Sequence, residues 1–449
     1  MFEKVEKFLI EKCPSGKPLL LALSGGPDSL FLFYALLYMQ KHYGIDFHIA
    51  HVDHGWRAES KQEAKALQLL ADQHRIPFHL KKLTPELLKG NLEAACREER
   101  YHFFSCLCNE NPFQAVLTGH HQDDLAETVF KRLMEGCHWS CLTSLQAEST
   151  LKGIRLLRPL LGMKKKEILS ALDQYSISSF DDPTNRDFRF LRSRMRETIF
   201  PHLNQEFGKE VQNSLVHLSE EAKELSDYFN EKSAPILRQI VLGPFGSFLD
   251  LQSWMPMKMV ELKYLIRLLS CRYECGLSRE MIAQAAEGLK SGKANLQFAT
   301  RSHRLWIDRQ RIFIQKSASM DVERGWVEPL FPSKEFKIGE WKGIVSEVID
   351  HRDFQVTSWK EAWKGSICYY LPQGNYQICF PDVKLSNLVR VKKRWSDAKV
   401  PAFLYDWFPL IISEGRIEHE FLSGRGDVLK AKGLPCWKVE LSIGPADTT

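Results

Sequence analysis

The residues best suited to chemistry in this 449-residue chain are Ser24-Gly25-Gly26-Pro27-Asp28-Ser29. They follow one apolar run and precede another, the strand-to-helix setting in which a glycine-rich turn cradles an anion. Glycines let the backbone approach closely, Ser24 and Ser29 offer hydroxyls, and a helix N-terminus adds partial positive charge. No Gly-Lys-Ser/Thr is present, so the loop is not of the Walker type. Asp28 repels a phosphate unless a cation sits between them, and a Mg²⁺ ion bridging Asp28 to the phosphates resolves that conflict. The competing reading is an ordinary strand-to-helix turn.

Further polar clusters recur along the first two hundred residues. One is His51, Asp53 and His54, followed by Trp56 and Arg57. Another sets Arg97, Arg100 and Tyr101 at three-to-four-residue spacing, on neighbouring helix faces. A third runs Thr118-Gly119-His120-His121, then Asp123, Asp124 and Glu127. Asp124 and Glu127 share a helix face, suited to Mg²⁺ or to a cationic substrate; alone, such acids read more readily as a solvated helix start complementing the dipole, and Gly-His-His at a strand's carboxyl end reverses that preference. His51, His54, His120 and His121 invite a zinc reading that no matching cysteines support. Arg186, Arg189, Arg192, Arg194 and Arg196 interleave with Phe188, Phe190 and Leu191, pairing guanidinium forks for phosphate with rings that stack on bases. A second basic patch is Arg390, Lys392, Lys393 and Arg394, before Trp395.

The elements that position these groups follow from periodicity. Residues 18–23, 45–52, 78–83 and 115–118 read as buried strands. Residues 28–41, 92–108 and 123–135 read as helices, with a further helix opened by a Ser60/Glu63 capping box. Such alternation predicts a doubly wound parallel α/β sheet, whose ligands sit beyond the strand carboxyl ends. Residues 209–232 carry Val211, Leu215, Leu218, Ala222, Leu225 and Phe229 as the stripe of a long amphipathic helix. A small helical domain follows, with helices near 257–275 and 278–290 and a closing hairpin at 296–314. A third segment, rich in Gly, Pro and aromatics, reads as mixed α/β. The expected division is 1–208, 209–316 and 333–445.

Composition sets limits. Lys plus Arg is 61 against 56 acids, a net charge of +5 that permits a polyanionic partner without demanding one. The longest apolar run in the N-terminal half, 30–39, is about half a bilayer span, and the first residues lack a signal-peptide core, so no membrane association is expected. Eleven cysteines without any Cys-x-x-Cys point to free thiols in a reducing cytoplasm.

The loop resembles that of the PP-loop ATP pyrophosphatase superfamily, Ser-Gly-Gly-x-Asp-Ser. With the clusters at 51–57, 92–101 and 118–128, and with Arg158-Pro159-Leu160, Asp182-Pro183-Thr184-Asn185 and the segment from Arg192 to Pro201, the first domain resembles the tRNA(Ile)-lysidine synthetase family. The helical segment matches that family in position only, and the 390–410 region resembles its C-terminal domain more loosely. Departures are Pro27, which removes one loop amide, Trp56 where the family usually has Leu, and Ser193 where it has Asn.

The resemblance implies ATP, Mg²⁺, L-lysine and the isoleucine tRNA with a CAU anticodon as ligands, and admits a homodimer. It implies nucleotide binding by Ser24, Gly25, Gly26, Pro27, Asp28, Ser29, His51, Asp53, His54, Arg97, Gly119 and His120. On that reading Asp28 and Asp124 are expected to hold Mg²⁺, Asp124 and Glu127 to hold lysine, and Arg192 and Arg196 to stabilise developing charge or bind RNA. Arg100, Arg189, Arg194, Lys392, Lys393 and Arg394 are expected to contact tRNA. The rivals are a PP-loop tRNA thiolase, an amidotransferase-type synthetase, and a non-catalytic tRNA-binding module on the same fold.

Overall fold

The computed structural model describes residues 2–14, 16–55, 60–84, 92–143, 145–177, 188–316, 326–348, 358–382, 384–424 and 435–444. Trp56, Arg57, the Asp-Pro-Thr-Asn motif at 182–185 and Arg186 lie outside them. The chain forms two compact units, Met1–Asp227 and Tyr228–Thr449.

The first unit runs α1 (Glu3–Lys12), β1 (Leu19–Ala22), α2 (Pro27–Tyr43), β2 (Phe47–Asp53), α3 (Ser60–Gln73), β3 (Phe78–Lys82), α4 (Leu92–Glu110), β4 (Val116–Leu117) and α5 (Gln122–Met134). It continues with β5 (Glu148–Leu151), β6 (Ile154–Leu157), α6 (Lys165–Gln174), α7 (Leu191–Arg194), a π-turn at Met195–Ile199 and α8 (Phe200–Phe207). Then comes the long α9 (Val211–Leu237), within which the division between the units falls.

The sheet order is β3-β2-β1-β4-β6-β5. Neighbours from β3 through β6 pair in parallel, and β5 closes the edge antiparallel to β6. The doubly wound expectation therefore holds, with the order reversing between β1 and β4. The sequence alternation did not reveal α1, the β5–β6 hairpin or α6.

Strand periodicity explains the two-faced core. Leu19 and Leu21 of β1 pack on one face with Leu9 of α1, Phe31 and Leu36 of α2, and Ile168 and Leu172 of α6. Leu20, between them, packs on the other face with Tyr101, Phe104 and Leu107 of α4. Each such leucine, fully buried, contributes roughly 1.5–3 kcal/mol. Both faces are covered, so β1 reads as an unbroken apolar run rather than an alternating one.

In the second unit, α10 (Met259–Arg272) and α11 (Arg279–Lys290) supply the two expected helices. The same segment also carries a five-stranded antiparallel sheet: β7 (Val241–Gly243), β8 (Gly246–Asp250), β9 (Leu296–Ala299), β10 (His303–Asp308) and β11 (Arg311–Lys316), in the order β7-β8-β11-β10-β9. Its centre is β11, whose residues Arg311 to Gln315 are all buried. Two four-stranded sheets follow. One joins β12 (Val327–Pro329), β16 (Gln377–Cys379), β17 (Leu410–Ser413) and β18 (Arg416–Glu420). The other joins β13 (Glu335–Ile338), β14 (Trp341–Val348), β15 (Ser366–Pro372) and β19 (Cys436–Ser442). Short α12 (Trp359–Ala362) and amphipathic α13 (Leu388–Asp397) also belong to this unit. No helix among the described residues is long and apolar enough to cross a membrane.

Candidate active site

Strand β1 delivers the glycine loop to the carboxyl edge of the sheet, at the point where strand order reverses. Gly25 sits at φ +87°, a conformation glycine adopts without strain. Pro27 opens α2, where its missing N–H costs nothing. Ser29 turns inward: its Oγ accepts from the amides of Ser24 at 3.2 Å and Gly25 at 3.1 Å, and donates to the Gly26 carbonyl at 2.9 Å. Its hydroxyl therefore shapes the loop, and the first-turn amides of α2 have no helical acceptor.

Strand β4 delivers the second wall. A Cβ on Gly119 would stand 3.2 Å from Asp28 Cβ and 3.2 Å from the Ser29 amide. The Gly-His-His turn thus presses directly on the glycine loop. Two consecutive histidines then meet opposite environments. His120 receives or gives a hydrogen bond with Thr118 at 2.9 Å, and burial, reinforced by Arg158, Arg192 and Arg97 against the attraction of Asp124, pushes it down to about 4. His121 is also buried, yet Asp123, Asp124 and Asp28 around it outweigh that burial and hold it above its ordinary value. Its ring nitrogens lie 3.8 Å from Asp28, 3.4 Å from Asp123 and 3.5 Å from Asp124. At neutral pH the first histidine is uncharged and the second carries charge more readily.

The acid pair on α5 is deep. Burial opposes ionisation of Asp124, but His121, His120, the His121 amide and Arg196 hold its carboxyl below the usual range. For Glu127 burial prevails over Arg196, and its carboxyl is held above that range. Arg196 reaches both: Nη2 donates to Asp124 at 2.9 Å and to Glu127 at 3.1 Å, while Nε pairs with the other Glu127 oxygen. Arg192 Nε stands 3.8 Å from Glu127. The π-turn from Met195 to Ile199 sets Arg196 toward the acids while Met195 packs inward; such insertions recur at functional sites.

Other expected residues form an adjoining shell. His51 donates from Nδ1 to the Leu23 carbonyl at 2.7 Å, tying β2 to the loop's base. Asp53 accepts from the Gly55 amide at 2.9 Å. His54 meets Arg100 at 3.4 Å, and Arg97 lies over the Tyr101 ring. Arg189 and Arg194 are exposed, the latter donating to the Phe188 carbonyl. Lys392, Lys393 and Arg394 belong to the second unit, on α13, which buries Leu388, Val391 and Trp395. Trp395 Nε1 donates at 2.5 Å to the buried Glu420, which anchors that helix.

His121 and Asp123, singled out in the sequence without a specific role, complete the cluster. One residue absent from the expected set belongs here: Lys165, which enters from α6. Its ammonium donates to both Asp28 oxygens at 2.7 Å, and its amide donates to Asp123 at 2.8 Å. The sequence signal was the Lys164-Lys165-Lys166 run after Arg158-Pro159-Leu160, easily read as a solvated helix start.

A glycine loop and an acidic helix start, facing one another across the switch point of a parallel sheet, define a PP-loop nucleotide-binding domain. Residues 2–203 match the family model described as a PP-loop domain. The chain is 40% identical over 448 residues to the tRNA(Ile)-lysidine synthase of Protochlamydia amoebophila, covering 98% of this chain and 97% of that one. It is 45% identical over 235 residues to that of Chlamydia muridarum, covering 52% and 72%. This chain belongs to the tRNA(Ile)-lysidine synthase family. Among solved structures, the U34-tRNA thiolase NcsA from Methanococcus maripaludis aligns over 50% of this chain and 76% of its own at 18% identity and a TM-score of 0.42.

Proposed function

We infer that this protein ligates L-lysine to C2 of the wobble cytidine of the isoleucine tRNA with a CAU anticodon, consuming ATP. The observation that carries the chemistry is the convergence of the glycine loop, the neutral His120 and the Asp124–Glu127 pair at one sheet edge. In the first step the cytidine C2 oxygen attacks the α-phosphorus of ATP and diphosphate leaves. In the second, the uncharged ε-amine of lysine attacks C2, a C–N bond forms, and AMP leaves with the oxygen. The amine sheds its protons to nearby groups or solvent.

Residue roles follow the geometry. The amides at the α2 N-terminus and the Gly25–Gly26 turn receive the triphosphate. Asp28 and Asp124 are hard oxygen donors that both approach the same imidazole nitrogen of His121, so the pair fits Mg²⁺. An ion held there would supply charge neutralisation for the phosphates. Asp124 and Glu127 receive the lysine side chain. Arg196 already occupies both carboxylates, so the substrate ammonium and Arg196 compete for the same oxygens. Arg192 and Arg196 offset negative charge developing on phosphate. Ser24, Gly119, His51, Asp53, His54 and Arg97 shape or line the nucleotide side.

For the RNA, Arg100, Arg189 and Arg194 extend the site, and Lys392, Lys393 and Arg394 form a recognition surface on α13. The working division is a catalytic domain at 1–208, a linker helix and RNA-binding domain at 209–316, and a recognition domain at 333–445. Cytoplasmic location and a homodimer belong to the same proposal. AMP release measured with transcripts differing only at the wobble base tests it. Release with cytidine and none with uridine is expected; equal release with both would sink base-directed adenylation.

A further inference from the structure

The glycine loop has no cation of its own. In Walker loops a lysine inside the loop reaches the β- and γ-phosphates; the corresponding loop here ends Asp28-Ser29. A triphosphate carries up to four negative charges, and Asp28 adds another beside it. Amide dipoles at one helix end offset only a fraction of that.

The chain supplies a cation from elsewhere. Lys165 begins α6, which packs on the same sheet face as α2. Its backbone is fixed by Asp123, and its ammonium sits 2.7 Å from each Asp28 oxygen. A third of its side chain is exposed, so the head group has room to move. It also borders a cavity of about 310 Å³ with Gln122, Asp123, Lys164 and Lys166. Lys164 and Lys166 are each paired with Glu210.

We infer that Lys165 binds the β- and γ-phosphates of ATP, taking from α6 the part that a loop lysine plays in Walker sites. Without nucleotide it rests on Asp28 and keeps that carboxylate from standing unpaired. With nucleotide it turns to the phosphate oxygens, which offer more charge than one carboxylate. Its compact ammonium on a flexible stem suits such a transfer. The inference rests on the ATP reading given above.

Calorimetric titration with α,β-methylene-ATP and, separately, with AMP tests it without turnover. Lys165→Ala is expected to weaken the triphosphate analogue by about tenfold or more, the worth of one charge-assisted contact. AMP, which lacks the β- and γ-phosphates, should bind the variant within about twofold of wild type, and Lys165→Arg should retain most of the triphosphate affinity. Lys165→Arg keeps the charge beside Asp28, so it remains informative where the alanine variant folds poorly. Unchanged triphosphate binding in Lys165→Ala, or equal losses for both nucleotides, would overturn the assignment. Wild-type protein that binds neither nucleotide would overturn the ATP reading and the inference with it.

Discussion

Replacing Arg196 by methionine removes one guanidinium from two buried carboxylates. Its donors serve both oxygens of Glu127 and one of Asp124, whose side chains are 1% and 11% exposed. Breaking a buried pair from one side costs roughly 3–5 kcal/mol, because the remaining charge stays desolvated. Arg196 is itself 35% exposed, so water already screens it, and a cost of about 2–3 kcal/mol is the better expectation. The cost depends on pH through Glu127. Burial holds that carboxyl above its ordinary range even with Arg196 opposing; without Arg196 it rises further. A carboxyl whose folded pKa exceeds its unfolded value stabilises the fold at low pH, and that contribution is lost as pH rises through the folded pKa. The penalty of Arg196→Met is therefore smaller at acid pH, where Glu127 escapes by taking a proton, and larger at alkaline pH. Hydrogen exchange of peptides from α5, read by mass spectrometry, gives the local opening free energy under both conditions. A deficit under about 1 kcal/mol at the higher pH, or the same deficit at both, would refute the reasoning.

Three further outcomes follow from the same geometry. Asp124→Asn should abolish lysine transfer while the protein stays folded by circular dichroism; unchanged transfer would remove Asp124 from the mechanism. Gly119→Ala places a methyl 3.2 Å from Asp28 Cβ and the Ser29 amide, forcing the loop to give by a few tenths of an ångström. A fall in kcat of about tenfold is expected, with nucleotide binding retained, since misplacement of about 1 Å costs about a hundredfold; full activity would mean the loop tolerates that shift. Replacing Lys392, Lys393 and Arg394 together by glutamate should weaken tRNA binding and lower the salt slope by about 2–3. The buried Leu388, Val391 and Trp395 of the same helix are left in place, so a lost salt slope without unfolding is the signature, and an unchanged slope removes α13 from the interface.

Local signals were legible in the sequence wherever neighbours along the chain do the work. The glycine loop, the apolar strands around it and the acid pair on α5 are all written within a few residues. Contacts across the chain were not. Arg196 and Glu127 are 69 residues apart, and nothing in either segment states that the arginine occupies the acids. Lys165 lies 137 residues from Asp28 in a run of three lysines whose other two members pair with Glu210. Both rings are buried, and His120 and His121 behave oppositely because only around His121 do enough carboxylates gather to outweigh that burial, which two identical letters cannot disclose. The basic patch at 390–394 was visible, but its amphipathic backing on Glu420 through Trp395 required the fold. In the second unit, β7 and β8 have three and five residues, too short for periodicity to separate from loop.

The central claim is that one site both adenylates the wobble cytidine and delivers lysine to it. Incorporation of labelled lysine into unmodified isoleucine tRNA with a CAU anticodon, with AMP followed in parallel, tests it most directly. Stable transfer that requires ATP and the wobble cytidine, with one AMP per lysine, is the predicted result. AMP release without lysine transfer would contradict it and point to another nucleophile, sulfur first; neither signal from folded protein would leave a tRNA-binding module without catalysis.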